Sequence, residues 1–263
     1  MLFRIIWGVI LTLQMMVAQA AGLNQITWDA LLKKHVITLQ GGQVTQVNYA
    51  GMQQDKSRLG TYLQSTSAVS RSEFERWNKN EQLAFLINSY NAWTVSLILS
   101  EYPNVKSIKN LGSFFQSPWK KSFIPLLGET RSLDDIEHTL IRGSGRYNDP
   151  RVHFAVNCAS IGCPALRSEA YQAERLDSQL DEATRLFLAD RNRNRVVGQS
   201  LQVSSIFKWY REDFEKGWRG FYSLNDFFVF YYQALDVNHA NIQKLKKMNI
   251  EFLDYDWRLN KKS

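Results

Sequence analysis

NEQLAFLINSYNAWTVSLILSEYP, residues 80–103, is the stretch of sequence around which the rest of the chain is expected to pack. Asn80 suits the residue that caps a helix, Glu81 suits the first turn, and Pro103 prevents the helix from continuing. Apolar side chains recur on nearly every side of this segment, which is typical of a helix enclosed by protein. We therefore predict a central buried helix.

Two amides interrupt this apolar helix. Asn88 and Asn91 are three residues apart and so share one helical face. An unpaired buried amide costs about 1–3 kcal/mol, so both side chains need hydrogen-bond partners. They either bond to the backbone of neighbouring loops or orient a catalytic group, and the sequence leaves both interpretations open.

A second helix is predicted in RSLDDIEHTLIRG, residues 131–143. Ser132 and Asp135 form the S-x-x-D pattern of a capping box, and Gly143 suits the residue that ends a helix. The helix is therefore expected over residues 133–142.

Both cysteines and one of the four histidines lie in VHFAVNCASIGCPAL, residues 152–166. Alternating apolar residues predict a half-buried strand over residues 152–156. A regular strand would place His153 and Cys158 on opposite faces, so a turn near Asn157 is required before their side chains can meet.

The remaining segments alternate between predicted helices and a small sheet. LDSQLDEATRLFLAD (176–190) is amphipathic, NRVVGQSLQVSSIF (194–207) has the pattern of a hairpin turning at Gly198, and SLNDFFVFYYQAL (223–235) is helical with an aromatic face. We predict an α/β (α+β) fold, a helix-rich single domain around a small, mainly antiparallel sheet, with a permuted papain-like arrangement as one form of it.

The first residues of the sequence predict export. Arg4 supplies a positive charge, residues 5–17 form an apolar run, and Ala18-Gln19-Ala20 has the small-residue pattern of a cleavage site. We expect a periplasmic or secreted protein with no stable membrane span after cleavage, and an uncleaved anchor is the alternative. The expected division of the chain is residues 1–20 as signal peptide, 21–74 as N-terminal lead-in and 75–263 as one domain.

The charge of the chain does not identify a binding partner. The net charge of +7 is a modest excess that specifies no anionic ligand. The basic runs RNRNR (191–195) and KLKK (244–247) lack the interleaved aromatic residues of a nucleic-acid site. We expect both runs to face solvent, and we expect no nucleic-acid partner.

Four motifs in this order resemble the DUF547 family, a domain of unknown function. They are AFLINSYNAW (84–93), SLDDIEHTLIR (132–142), DPRVHFAVNCASIGCPAL (149–166) and IFKWYREDF (206–214). The resemblance implies a single α/β domain, found in exported bacterial proteins and in multidomain plant and animal proteins, with His153 and Cys158 at its centre. Plant members are similar at these two positions but have serine at position 163, which implies that a disulfide is not the common purpose of the family.

The first interpretation of the site is a thiol enzyme. Cys158 would be the nucleophile, because an imidazolium or a helix N-terminus can lower the pKa of a cysteine and produce a thiolate. His153 or His138 would act as the base. The group that orients this imidazole would be one of three side chains, Asn91, Asn88 or Glu137. The site would then hydrolyse or transfer an amide or thioester, and export favours a cell-envelope substrate such as a peptide cross-link.

The second interpretation is a structural disulfide between Cys158 and Cys163, which export permits. Closing so short a span would stabilise the fold by roughly 2 kcal/mol in the chain-entropy model. The bridge would also remove the thiol. The domain would then be a non-catalytic binding or scaffold module, with a cell-envelope peptide or protein partner recognised through aromatic surface such as KGWRGFY (216–222).

A third, weaker interpretation is a zinc site. His138, His153, Cys158 and Cys163 are ligand types that tetrahedral zinc accepts, and the spacing between the cysteines lies within the usual range. No second cysteine pair reinforces this pattern, so we expect no cofactor.

Overall fold

The computed structural model describes residues 25–113 and 115–262. The predicted signal peptide lies outside the described residues. Within them, no helix is both long enough and apolar enough to cross a membrane.

The first part of the chain wraps around one long helix. It consists of α1 (25–35), the antiparallel pair β1 (Val36–Leu39) and β2 (Val44–Val47), and the helices α2 (Tyr49–Gln54), α3 (Lys56–Ala68), α4 (Arg71–Arg76) and α5 (Lys79–Leu99). Nearly every side chain of α5 is buried, so the prediction of a central buried helix is confirmed.

The start of α5 differs from the expected one by two residues. Asn78, not Asn80, is the N-cap, and its side chain accepts from the N–H of Asn80 at 2.9 Å and of Glu81 at 3.0 Å. The Glu81 carboxylate in turn accepts the Asn78 N–H at 2.7 Å. This reciprocal capping box satisfies donors at both positions, whereas a start at Asn80 would leave Glu81 in the wrong register to return the bond.

Short elements connect α5 to the cysteines and beyond. They are the 3-10 helices Ile108–Leu111 and Pro118–Lys120, the hairpin β3 (Ile124–Leu126) and β4 (Glu129–Arg131), the π-helix Asp135–Arg142, the 3-10 helices Pro150–Phe154 and Ala173–Arg175, and α6 (Leu176–Ala189). The amphipathic helix predicted over residues 176–190 is therefore present as α6.

The last part of the chain builds a three-stranded sheet with short helices. Its elements are β5 (Arg195–Val197), β6 (Ser200–Ser204), α7 (Ile206–Trp209), α8 (Arg211–Glu215), the 3-10 helix Trp218–Gly220, α9 (Leu224–Phe230), the 3-10 helix His239–Asn241, α10 (Ile242–Leu245) and β7 (Asn249–Leu253). The strands β5 and β6 form the predicted antiparallel hairpin, and β7 joins β6 in parallel. The expected helix-rich α+β fold with small, mainly antiparallel sheets is confirmed, and the strands in the described part of the chain form three separate small sheets.

Within the described residues, buried apolar side chains form two clusters. The first core surrounds α5, and half of the buried residues of the second core are aromatic. Phe207 lies near the middle of the second core, with ring centroids 4.8 Å from Phe228 and 5.1 Å from Phe214. The site described below lies where the segment after residue 150 passes from one core to the other.

The strand predicted over residues 152–156 is wrong, because residues Pro150–Phe154 form a 3-10 helix. The Asp149 side chain accepts the N–H of Arg151 at 3.0 Å, which caps this helix. Pro150 suits the first helical position because its ring already fixes a helical φ and no N–H is needed there.

The side chains of this 3-10 helix point in three directions. About three residues complete each turn, so successive side chains are rotated by about 120°. Val152 packs in the first core, Phe154 packs in the second core, and His153 lines a cavity between them. All three side chains are buried. The alternation of apolar and polar residues therefore did not mark one buried and one solvent-facing side, and the strand prediction that rested on it failed.

The two amides of α5 bond to loop backbone. The Asn88 amide donates to the carbonyl of Tyr171 at 2.8 Å and accepts the N–H of the same residue at 3.0 Å. Asn91 donates to the carbonyl of Ala155 at 2.9 Å and accepts the N–H of Asn157 at 2.8 Å. Asn91 therefore ties the central helix to the backbone that leads into Cys158.

Replacing Asn91 by alanine is expected to destabilise the protein by roughly 2–3 kcal/mol, because it leaves a buried carbonyl and a buried N–H without partners. Urea unfolding measures the change in the free energy of unfolding. Asn80→Ala is the matched control, since Asn80 lies on the same helix with an exposed side chain, and a change within about 0.5 kcal/mol is expected. Equal effects of the two substitutions would refute this role for Asn91.

Candidate functional site

The predicted helix over residues 133–142 is present, and its main part has π geometry. Its capping box forms as expected: Ser132 Oγ accepts the N–H of Asp135 at 3.0 Å, and the Asp135 carboxylate accepts the N–H of Ser132 at 2.8 Å. At its end the Gly143 N–H donates to the carbonyl of His138 at 2.9 Å, five residues back. Helices of this kind are wider than α-helices and are frequent at functional sites.

Cys158 and Cys163 form a disulfide, with their Cα atoms 6.1 Å apart. The turn between them is held by Asn157, whose side chain accepts the N–H of Ala159 at 2.9 Å and donates to the carbonyl of Pro164 at 2.7 Å. Ala159 has a φ of 58°, in the left-handed region that L-residues rarely adopt. The required turn near Asn157 is thus present.

The two sulfurs are surrounded by hydrogen-bond donors. The backbone N–H of Cys158 donates to Cys163 Sγ at 2.9 Å, and the Tyr255 hydroxyl lies 3.1 Å from each sulfur. The Ser160 hydroxyl lies 3.4 Å from each sulfur and 3.1 Å from the Tyr255 hydroxyl. Cys158 is half-buried, whereas Cys163 is 4% exposed.

A second segment of chain runs alongside this turn and completes it. The N–H groups of Ile161 and Gly162 donate to the carbonyls of Arg258 and Asp256, each at 2.8 Å. The N–H of Asn260 donates to the carbonyl of Ala159 at 3.2 Å. These bonds place Tyr255 over the disulfide.

A cavity of about 180 Å³ opens in front of the disulfide. Five predicted site residues line it together: Cys158, Cys163, His153, His138 and Glu137. Aromatic side chains form much of the remaining wall, and these are Tyr90, Trp119, Trp209, Tyr210, Tyr255 and Trp257. The two predicted amides, Asn88 and Asn91, are not among the residues that line it.

His153 is buried and has two different ring nitrogens. Its Nε2 lies 2.7 Å from Oδ2 of Asp213, while its Nδ1 has no hydrogen-bond partner within the described residues. The imidazole stacks on the Tyr210 ring with centroids 3.9 Å apart. Burial lowers the pKa of His153, and the hydrogen bond with Asp213 only partly offsets this effect. A neutral imidazole that donates from Nε2 to Asp213 keeps its Nδ1 lone pair available as a base.

Asp213 is the anchor of this imidazole. Its Oδ2 also accepts from Nε of Arg142, and its Oδ1 accepts from Lys216 at 2.9 Å. Burial favours the neutral acid, but the hydrogen bonds from His153, Arg142 and Lys216 outweigh burial and hold the pKa of Asp213 well below its usual range. The carboxylate is therefore ionised at neutral pH.

Glu137 lies on the other side of the imidazole. Its Oε1 is 4.0 Å from Nδ1 of His153 and has no hydrogen-bond partner within the described residues. The side chain is 7% exposed. Burial and the Glu137 carboxylate both raise the pKa of Tyr90 and Tyr210, so these phenols stay protonated.

His138 is occupied by other partners. Its Nδ1 lies 2.7 Å from a terminal nitrogen of Arg142, and its Nε2 lies 3.7 Å from Asp134. It also stacks on Tyr210 at a longer centroid distance, 6.3 Å. Of the two predicted bases, His153 is the one with a buried ring nitrogen that has no hydrogen-bond partner within the described residues.

The weak candidate zinc site consisted of His138, His153, Cys158 and Cys163. Because the two cysteine sulfurs are bonded to each other, neither is a thiolate that could bind zinc. Among the residues that the structure describes, no three His, Cys, Asp or Glu side chains are grouped so that they could hold a metal ion.

Arg193, in the basic run at 191–195, does not face solvent as expected. Its side chain is 11% exposed and donates to the carbonyls of Cys163 and Gln43 and, at 2.6 Å, to the Asp190 carboxylate. The guanidinium thus joins the cysteine turn to the N-terminal strands and to the end of α6.

Sequence reasoning missed several side chains of the site. The sequence did contain a signal for Asp213, since this acid lies in IFKWYREDF, a motif with four aromatic residues, of which Phe207 and Phe214 are buried. Tyr255 and Trp257 carried none, because the segment around them has no helical or strand periodicity and lies far from the cysteines in sequence.

The fold and the cavity define a helix-rich α+β domain with a histidine, a carboxylate and a cysteine pair facing one aromatic pocket. Residues 74–188 match the family described as "Protein of unknown function, DUF547", which supports the resemblance seen in the sequence motifs. Comparison with curated proteins and with solved structures gives no match. The matched range includes Glu137, His153 and both cysteines, whereas Asp213 and Tyr255 come from beyond it.

Proposed function

We propose that this protein is a thiol-dependent hydrolase or acyl transferase of the cell envelope, and that it acts when Cys158 and Cys163 are reduced. One observation carries the proposal: His153 is held through Nε2 by Asp213 at 2.7 Å, its Nδ1 has no hydrogen-bond partner within the described residues, and its side chain lines the same cavity as Cys158. A nucleophile, a base and a carboxylate that orients the base form the arrangement used in acyl transfer.

The proposed reaction begins in the dithiol form. The Cys158 thiol gives its proton to Nδ1 of His153, and the thiolate attacks the carbonyl carbon of an amide or thioester. As the bond to the leaving group breaks, the imidazolium returns the proton to that group. A water or amine, deprotonated by His153, then cleaves the thioester formed at Cys158. Asp213 keeps the imidazole in the required tautomer and stabilises its charged form.

Two features support stabilisation of charge during this reaction. The backbone N–H of Cys158 points at Cys163 Sγ in the disulfide form, and reduction frees this donor for an oxyanion on the substrate. The Tyr255 hydroxyl lies on the same side, and burial raises its pKa, so it keeps its proton and can also donate.

The disulfide itself supports a second candidate, a non-catalytic binding module. With both sulfurs bonded to each other, the cavity has no thiol nucleophile. Its mouth would still offer aromatic faces, since Trp209 is 46% exposed and stacks near Trp257 at 5.7 Å. A peptide with apolar side chains would suit such a surface.

An acyl-donor experiment separates the two candidates. The protein is reduced, freed of reductant and mixed with p-nitrophenyl acetate, and released nitrophenol is followed by absorbance. We expect a burst of about one equivalent per chain with an acetyl group on Cys158, which intact-mass and peptide analysis would locate. The oxidised protein and Cys158→Ser should lack the burst.

Free cysteine is the reference in this experiment. An acetylation rate at Cys158 no faster than that of free cysteine at the same pH, or equal acetylation of Cys158 and Cys163, would refute the proposed nucleophile. The binding module would then be the better description of the domain.

A further inference from the structure

The donors around the disulfide favour one direction of cleavage. The Tyr255 hydroxyl lies 3.1 Å from each sulfur and can donate to either, but the backbone N–H of Cys158 donates to Cys163 Sγ, at 2.9 Å. A sulfur that leaves as a thiolate is stabilised by hydrogen bonds of this kind. Cys163 is thus prepared to be the leaving group.

The accessible sulfur is the other one. Both cysteines border the cavity, but Cys158 is half-buried, whereas Cys163 is only 4% exposed. The carbonyl of Cys163 is held by Arg193, whose guanidinium also anchors Gln43 and Asp190. An incoming group therefore reaches Cys158, and the Cys163 side of the bridge stays in place.

We propose that the Cys158–Cys163 disulfide is a reactive centre for thiol–disulfide exchange with small or peptide thiols, in which Cys158 is attacked and Cys163 leaves. The proposal goes beyond acyl transfer and does not depend on it. The exchange substrate is a thiol of the glutathione or cysteinyl-peptide class that fits the aromatic cavity.

The reaction balances without a further cofactor. A thiolate of the partner attacks Cys158 Sγ, the bond between the two cysteine sulfurs breaks, and Cys163 leaves as a thiolate. A second partner thiolate then attacks the partner sulfur of the mixed disulfide and releases Cys158 as a thiolate. The partner pair is oxidised to a disulfide by two electrons, and the protein is reduced by two.

Tyr255 is the side chain on which this activity depends most. The Ser160 hydroxyl donates to the Tyr255 oxygen at 3.1 Å, which directs the Tyr255 hydroxyl hydrogen toward the sulfurs. The ring is held between Trp257, at 4.5 Å, and Trp209, at 4.9 Å. Because burial raises the pKa of Tyr255, this hydroxyl stays protonated through the pH range of thiol exchange.

The test compares Tyr255→Phe with the wild type in reduction by glutathione. Each oxidised protein is incubated with reduced glutathione, quenched with acid and N-ethylmaleimide, and analysed by intact mass and peptide mapping. We expect Tyr255→Phe to be reduced about tenfold more slowly, because one hydrogen bond to the leaving thiolate is lost. Phenylalanine keeps the ring contacts with both tryptophans. Tyr222→Phe is the control and should leave the rate unchanged, since Tyr222 is 73% exposed.

The site of the mixed disulfide is the second readout. Glutathione should be found on Cys158, and Cys163→Ser should accumulate this adduct when it is treated with oxidised glutathione. The proposal fails if the native disulfide resists glutathione until denaturant unfolds the protein, if the adduct forms on Cys163, or if Tyr255→Phe and the wild type are reduced at equal rates. The acyl-donor experiment can succeed in any of these cases.

Discussion

Alkylation of the reduced protein at pH 6 is expected to slow about a hundredfold when His153 is replaced by alanine. An ordinary cysteine has a pKa near 8.5, so only a small fraction is thiolate at pH 6. Transfer of the Cys158 proton to Nδ1 of His153 would pair the thiolate with an imidazolium that Asp213 stabilises, and this pairing would bring most of Cys158 to the thiolate at this pH. Iodoacetamide labelling, quenched at intervals and read by peptide mapping, gives the rate at each cysteine.

The chain supplies its own controls for this measurement. Cys163 serves within the same molecule, because it is only 4% exposed and should label slowly in both proteins. His239→Ala tests whether the loss of any histidine slows alkylation of Cys158, since His239 is exposed and lies far from the cysteines in sequence. A Cys158 rate in the wild type that simply follows the titration of an ordinary thiol would contradict the pairing with His153.

Replacing Asp213 by alanine is expected to destabilise the protein by about 3–5 kcal/mol, the usual cost of leaving buried charged partners unpaired. The change would leave the Nε2–H of His153 without an acceptor and remove a partner of Arg142 and of Lys216. Urea unfolding at pH 7 measures the loss. Glu212→Ala is the control on the same helix, with an exposed side chain and an expected change within about 0.5 kcal/mol.

The stability that Asp213 contributes is expected to fall at acidic pH. Because hydrogen bonds hold the pKa of Asp213 below its value in the unfolded chain, the stability it contributes is complete above the unfolded pKa of about 3.9. It is lost as pH falls through the lower pKa of the folded state. The stability difference between the wild type and Asp213→Asn should therefore be constant near neutral pH and shrink below about pH 4. A difference that stays constant down to pH 2 would show that Asp213 is not held ionised.

The elements that could be predicted from the sequence are those with strong local signals. The apolar run of α5 and the capping box of the helix over residues 133–142 were both recognised, because periodicity and caps depend on neighbours in sequence. The π geometry of that helix was not recognised. Hydrogen bonds between residues five apart do not change the pattern of apolar residues in a way that distinguishes a π-helix from an α-helix. The two-residue error at the start of α5 arose because Asn78 and Asn80 are equally good caps until Glu81 is considered.

The site was predictable only in part. His153, Cys158, Cys163, His138 and Glu137 lie in motifs with distinct chemistry, and they do border one cavity. Their relative orientation was not predictable, because it depends on whether residues 150–154 form a strand or a 3-10 helix. Both forms bury Val152 and Phe154, and only the packing of two separate cores selects the helix.

The contacts between the cysteine turn and the segment around Tyr255 also set an order of events during synthesis. Tyr255 follows Cys163 by 92 residues. At about 5–20 residues per second, the cysteines are made on the order of ten seconds before the hydroxyl that will cover them. A nascent chain therefore carries both thiols before the side chain that covers them has been made. Any pairing of the two cysteines at that stage takes place without the finished pocket.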